Sequence, residues 1–154
     1  MKKFLSLAIF IALFACKSDK KESANEEDNY VIPASENSTS TSTSPLQESM
    51  DRGKQVYANI CVTCHLPTGK GISGTYPPLD GSNWLTKKRD ASIHAVKYGL
   101  QGEITVNGTT YDNMMPPMGL SDQEVADVLN YVMNSWGNSS EELITTEEVS
   151  ALKE

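Results

Sequence analysis

Long apolar runs are missing from this chain of 154 residues. The longest, Phe4 to Ala15, is twelve residues, and a spanning helix needs roughly 20, so a permanent transmembrane helix is not expected. Basic charge is in the minority, 13 Lys+Arg against 20 Asp+Glu for a net charge of −7. That balance excludes nucleic acid as a partner, because phosphate binding requires a basic face. Histidine occurs twice, as His65 and His94, and cysteine three times, as Cys16, Cys61 and Cys64. This is too little for a closed zinc site of four ligands. The odd number of cysteines also argues against a disulfide framework. A thioredoxin-like dithiol would need a βαβ context, which the sequence lacks. The length holds one modest domain and leaves no room for a second, enzymatic one.

What is present begins with Met1, Lys2 and Lys3 before the short apolar run, the charged and apolar regions of an export signal. The run ends in L-F-A-C, and Ala15 before Cys16 is similar to the lipobox at which bacterial lipoproteins are cut and lipidated. The expected organisation is therefore a lipoprotein signal peptide over 1–15 and a lipidated Cys16. A flexible Ser/Thr-rich tether follows over 16–49, where apolar residues are too sparse to fold. A folded domain spans 50–138, and 139–154 is an acidic tail with one possible short helix after Thr145.

Within the domain, Gly53, Val56, Tyr57 and Ile60 recur at helical spacing, with Ser49 as the expected cap. Asp90 is placed to cap a second helix carrying Ile93 and Val96 and ended by Gly99. Ile104, Val106, Thr109 and Tyr111 flank Asn107-Gly108, the preferred pair for a tight β-hairpin turn. The last strong helix opens with a capping box, Ser121 and Glu124, and carries Val125, Val128, Leu129, Val132 and Trp136 along one face up to Gly137. Lys87, Lys88 and Arg89 form a small basic cluster, either a solvated stretch or a docking patch whose use would depend on ionic strength.

The chemistry lies in C-V-T-C-H, Cys61 to His65. Two thiols at this spacing can add to the two vinyl groups of haem while the adjacent imidazole reaches the iron. A six-coordinate electron-transfer haem needs a second axial ligand, and M-M-P-P-M, Met114 to Met118, offers soft thioethers that raise the reduction potential. Pro116 and Pro117 stiffen that loop. On these residues alone Met114, Met115 and Met118 all stay candidates. His94 is expected on a helix surface.

Residues from about Asp51 to Asn138 resemble a class I c-type cytochrome. Gly53 and Tyr57 match the family's N-terminal helix, and Val128 and Tyr131 the C-terminal helix that crosses it. The stretch from Met115 through M-P-P-M-G-L-S-D-Q-E to Trp136-Gly137-Asn138 resembles the subgroup associated with respiratory oxidases, reductases and quinoprotein dehydrogenases. Met118 stands where that subgroup has an aromatic. The resemblance implies an all-α fold of three to four short helices around one haem, with a small hairpin before the Met ligand. It implies that the Pro77 carbonyl accepts the Nδ1 proton of His65, and that Trp84, Tyr111 and Arg89 lie near the haem propionates.

The function expected from these readings is single-electron transfer in a bacterial cell envelope, without catalysis of bond chemistry. One haem c, covalently held by Cys61 and Cys64 and ligated by His65 and Met115, would carry the electron. The chain would be an exported monomer anchored by lipid on Cys16 and would meet redox proteins. The alternatives are a haem enzyme or gas sensor with a displaceable sixth ligand, or a dedicated tethered subunit of a terminal oxidase or reductase.

Overall fold

A computed structural model describes residues 43–154. The signal peptide, Cys16 and most of the expected tether lie outside the described residues.

The first helix, α1 (Pro45–Val56), opens earlier than the sequence pattern suggests. Pro45 occupies its first turn, where a missing N–H costs nothing, and the Ser44 hydroxyl accepts from the Gln47 N–H at 3.2 Å. Ser49, the expected cap, is instead buried inside the helix. The chain continues through one π-helical turn, Tyr57–Cys61, into α2 (Val62–His65). Two one-sided pieces follow, α3 (Asn83–Lys87) and α4 (Arg89–Tyr98). Asp90 lies in the first turn of α4 rather than capping it. Gly99 ends α4 with φ +87°, a conformation that a side chain would strain.

The hairpin forms as expected, with β1 (Ile104–Val106) antiparallel to β2 (Thr109–Tyr111) and Ile104 opposite Tyr111. Asn107 and Gly108 both have positive φ, as a type I′ turn requires. Helix α5 (Asp122–Val132) starts with the complete Ser121–Glu124 capping box. It stops four residues before Trp136, whose φ of +52° turns its ring back onto the helix. Finally α6 (Thr146–Ala151) is capped by Thr145. The acidic tail is thus built into the fold: Ile144 is 2 % exposed and Val149 0 %.

The central crossing is α1 over α5. At Gly53 an added Cβ would collide with the Asp127 carbonyl, so glycine is what allows the two backbones to touch. Beside the crossing, the rings of Tyr57, Tyr131 and Trp136 pack as a trio with centroids 5.0 to 5.7 Å apart. Beneath it runs a buried polar spine. Asp127 accepts from Ser49 Oγ at 2.6 Å, from Arg52 Nε at 2.7 Å and Nη2 at 2.8 Å, and from Gln123 Nε2 at 3.0 Å. Asn130 accepts from the Ile144 N–H and donates to the Ile144 carbonyl and to Ser49 Oγ. These bonds belong to a fold in which no buried polar side-chain atom of the described residues lacks a partner. They also tie α1, α5 and the tail into one unit.

Candidate functional site

Cys61, Cys64 and His65 stand at positions i, i+3 and i+4, which places all three on one side of the chain as it leaves the π-turn. Leu66, with φ +62°, ends α2, and its carbonyl accepts from Tyr57 Oη at 2.7 Å. The chain then doubles back. Gly71 donates its N–H to the His65 carbonyl at 3.1 Å and passes so close to Tyr76 and Pro77 that a Cβ would lie 2.6 Å from the Pro77 carbonyl oxygen. This brings that oxygen within 3.1 Å of His65 Nδ1. A carbonyl only accepts, so Nδ1 carries the proton and Nε2 is left with a free lone pair. Burial holds the His65 pKa below the ordinary value, although the Pro77 carbonyl pulls the other way. The imidazole is therefore neutral and fit to ligate a metal.

Cys61 is half-buried and its thiol is pushed up to about 11, first by burial and then by Cys64 beside it. Neither cysteine is in a disulfide.

Met115 is fixed from the other direction. Its N–H donates to the Leu100 carbonyl and its carbonyl accepts from the Leu100 N–H, both at 2.8 Å. This single bridge is possible because residue 99 is glycine: a Cβ there would lie 2.7 Å from the Met115 carbonyl oxygen and 3.0 Å from the Pro117 nitrogen. Met114, next to it, is 66 % exposed.

Two adjoining cavities share Cys61, His65, Pro77, Met115 and Met118 in their walls. The rest of the first is carbon from Val96, Leu120, Val128 and Leu129 among others. A slot with apolar walls, two thiols three residues apart, one neutral imidazole and two thioethers fits a flat apolar macrocycle with a soft-tolerant iron at its centre.

Trp84 lines the first cavity and Tyr111 the second. Arg89, expected beside them, is a correction. Its guanidinium is bound by Glu148 at 2.6 and 2.8 Å and turned to the C-terminal segment. Of the basic cluster, Lys87 and Lys88 stay exposed, with the Lys88 ammonium over the Trp84 ring at 5.0 Å. His94 packs its ring 5.0 Å from Tyr98 and lines neither of the two cavities. The sequence pattern missed Gly71 and the Gly99–Leu100 pair. Gly99 signalled a helix end, and nothing local signals that a second loop lies against it.

These features define a haem protein with a c-type attachment motif. A sequence model of the cytochrome c family matches residues 50–136, and the chain belongs to the cytochrome c family, whose members hold haem c covalently and transfer electrons. It is 38 % identical over 110 residues to cytochrome c-552 of Thermus thermophilus, covering 66 % of this chain and 83 % of that one. It is 34 % identical over 110 residues to the gluconate 2-dehydrogenase cytochrome c subunit of Pantoea cypripedii, covering 24 % of that subunit. It is also 25 % identical over 115 residues to the cytochrome c subunit of the quinone alcohol dehydrogenase of Gluconobacter oxydans, covering 22 % of it.

Proposed function

We propose that Cys61 and Cys64 hold one haem c by thioether bonds, that His65 and Met115 are its axial ligands, and that the chain passes single electrons between redox proteins of a bacterial cell envelope. The observation that carries this reading is the pairing, around one carbon-walled slot, of an imidazole fixed by Pro77 with a methionine fixed by Leu100. Bound haem supplies a ferrous/ferric couple whose potential a thioether ligand raises. The protein's own part is to hold Nε2 of His65 unprotonated, to hold the Met115 loop against α4, and to keep water from the slot with carbon walls. Met118 packs beside Met115.

The outer rim of the second cavity is formed by Ile60, Thr63, Thr75, Tyr76, Asn113 and Met114, none of them charged. A partner approaching there meets apolar and neutral polar atoms, so encounter depends little on salt.

The remainder of the reading concerns the chain as a whole. Residues 1–15 act as a lipoprotein signal, lipid on Cys16 anchors an exported monomer, the stretch from Cys16 to the start of α1 at Pro45 tethers it, and the tail 139–154 completes the domain. Among the described residues no helix is long and apolar enough to cross a membrane. A second reading, a dedicated subunit of a dehydrogenase, is favoured by the relatives named as dehydrogenase cytochrome c subunits.

The full-length haem-loaded protein tests the carrier reading. Reversible one-electron reduction with no carbon monoxide binding to the ferrous form is expected. Ready carbon monoxide binding would favour a haem enzyme or gas sensor. Cys16→Ser should release the chain from the membrane fraction, and retention there would contradict the lipid anchor.

A further inference from the structure

Helix α4 has two faces with different tasks. One lines the slot through Ser92, Ala95 and Val96. The other grips the C-terminal segment, which lies beyond the residues that match the family. Arg89, at its start, donates to both oxygens of Glu148, at 2.6 and 2.8 Å, and to the Leu143 carbonyl at 3.1 Å. At its end, Lys97 donates to the Val149 carbonyl at 2.8 Å and pairs with Asp122 at 3.1 Å. Tyr98 donates to the Leu152 carbonyl at 2.9 Å. The segment is itself held to α5, because Asn130 brackets the backbone of Ile144, and Ile144 and Val149 are buried in the core.

Both ends of α4 are thus tied to one strap, and the residues immediately after α4 carry the Met115 loop. Gly99 touches the Met115 carbonyl and Pro117, and Leu100 makes the two backbone bonds to Met115. A helix free to shift along its axis would carry the Leu100 bridge with it. A helix pinned at Arg89, Lys97 and Tyr98 cannot.

We propose that residues 139–154 are a strap that fixes the position of α4 and, through the Leu100 bridge, the position of the Met115 side chain at the slot. Arg89, Lys97 and Tyr98 are its positioning residues. This rests on the reading of Met115 as axial ligand.

The test uses the full-length haem-loaded ferric protein and follows the near-infrared sulfur-to-iron band while imidazole is added to displace the thioether. Arg89→Gln should lower the imidazole concentration for half-displacement on the order of tenfold. Tyr98→Phe, which removes one hydrogen bond, should lower it less, and deletion of 139–154 at least as much as Arg89→Gln. Ser44→Ala weakens the cap of α1 without touching α4 and should leave the titration unchanged, which separates positioning from general loss of stability. If the deletion does not fold, Arg89→Gln and Tyr98→Phe still decide. Unaltered titrations in both, with the band abolished by Met115→Leu, would overturn the strap. A band that survives Met115→Leu would overturn the ligand assignment on which it rests.

Discussion

The two sides of this domain are filled in different ways. On the α1–α5–α6 side the chain packs against itself: Gly53 meets the α5 backbone, three aromatic rings interlock, and a buried carboxylate is bonded by Ser49, Arg52 and Gln123. On the other side, α3, α4, the hairpin and the Met115 loop enclose a carbon-walled slot. Leu85, Val106 and Tyr111 are already buried there by protein, and the carbon surface that faces the slot would find its packing partner in haem. The first side is a protein core, whereas the second is a mould. The two sides meet in α5, whose Val128, Leu129 and Val132 belong both to the core and to the wall of the slot.

The largest effect should come from removing the attachment. In Cys61→Ser plus Cys64→Ser the slot side loses its filling, and far-UV circular dichroism should show most native helicity gone. Hydrogen exchange sharpens the comparison: residual protection should remain in α1 and α5 and vanish in α4 and the hairpin. Uniform protection over both sides would break the distinction.

Next is Gly53→Ala. The added methyl meets backbone rather than a yielding side chain, so the crossing must open, at a cost of about 3 kcal/mol by denaturant unfolding. The sulfur-to-iron band should persist in the folded fraction. A loss below about 1 kcal/mol would mean that the crossing is looser than the geometry shows.

Asp127 supplies a smaller, pH-dependent effect. Burial raises its pKa, but the hydrogen bonds from Arg52, Ser49 and Gln123 outweigh this and hold it below the ordinary range. A carboxyl depressed in the folded state adds stability that is complete above its unfolded value, about 3.9, and fades as pH falls through the depressed one. Asp127→Asn should cost about 2 kcal/mol at pH 7 and progressively less below about pH 4. An equal cost at pH 2.5 and pH 7 would show that its charge is not what matters.

The smallest effect concerns docking. With an uncharged rim, electron exchange with a partner should change less than about twofold between low and high salt. A steep decline would restore charged steering.

The slot was largely legible in the sequence, because its chemistry is local. C-V-T-C-H puts two thiols and an imidazole on one helical turn, and M-P-P-M marks a stiff loop with thioethers. The hairpin and the capping box of α5 are equally short-range signals, and both form where their residues stand. Failures came where a residue's role depends on a distant partner. Ser49 has the chemistry of a cap, and only the approach of Asp127, 78 positions away, makes it a buried donor. Arg89 looks like a free cation until Glu148 folds back onto it. Asp127 and Asn130 interrupt the apolar stripe of α5 and would ordinarily face solvent, yet they are 2 % and 1 % exposed because α1 and the tail complete their hydrogen bonds.

The central claim, ligation by His65 and Met115 with Met118 as packing, is tested most directly by the near-infrared spectrum of the ferric full-length protein in two variants. Met115→Leu should abolish the sulfur-to-iron band and open the ferrous iron to carbon monoxide, whereas Met118→Leu should keep both the band and a closed iron. The band surviving in Met115→Leu and vanishing in Met118→Leu would contradict the account.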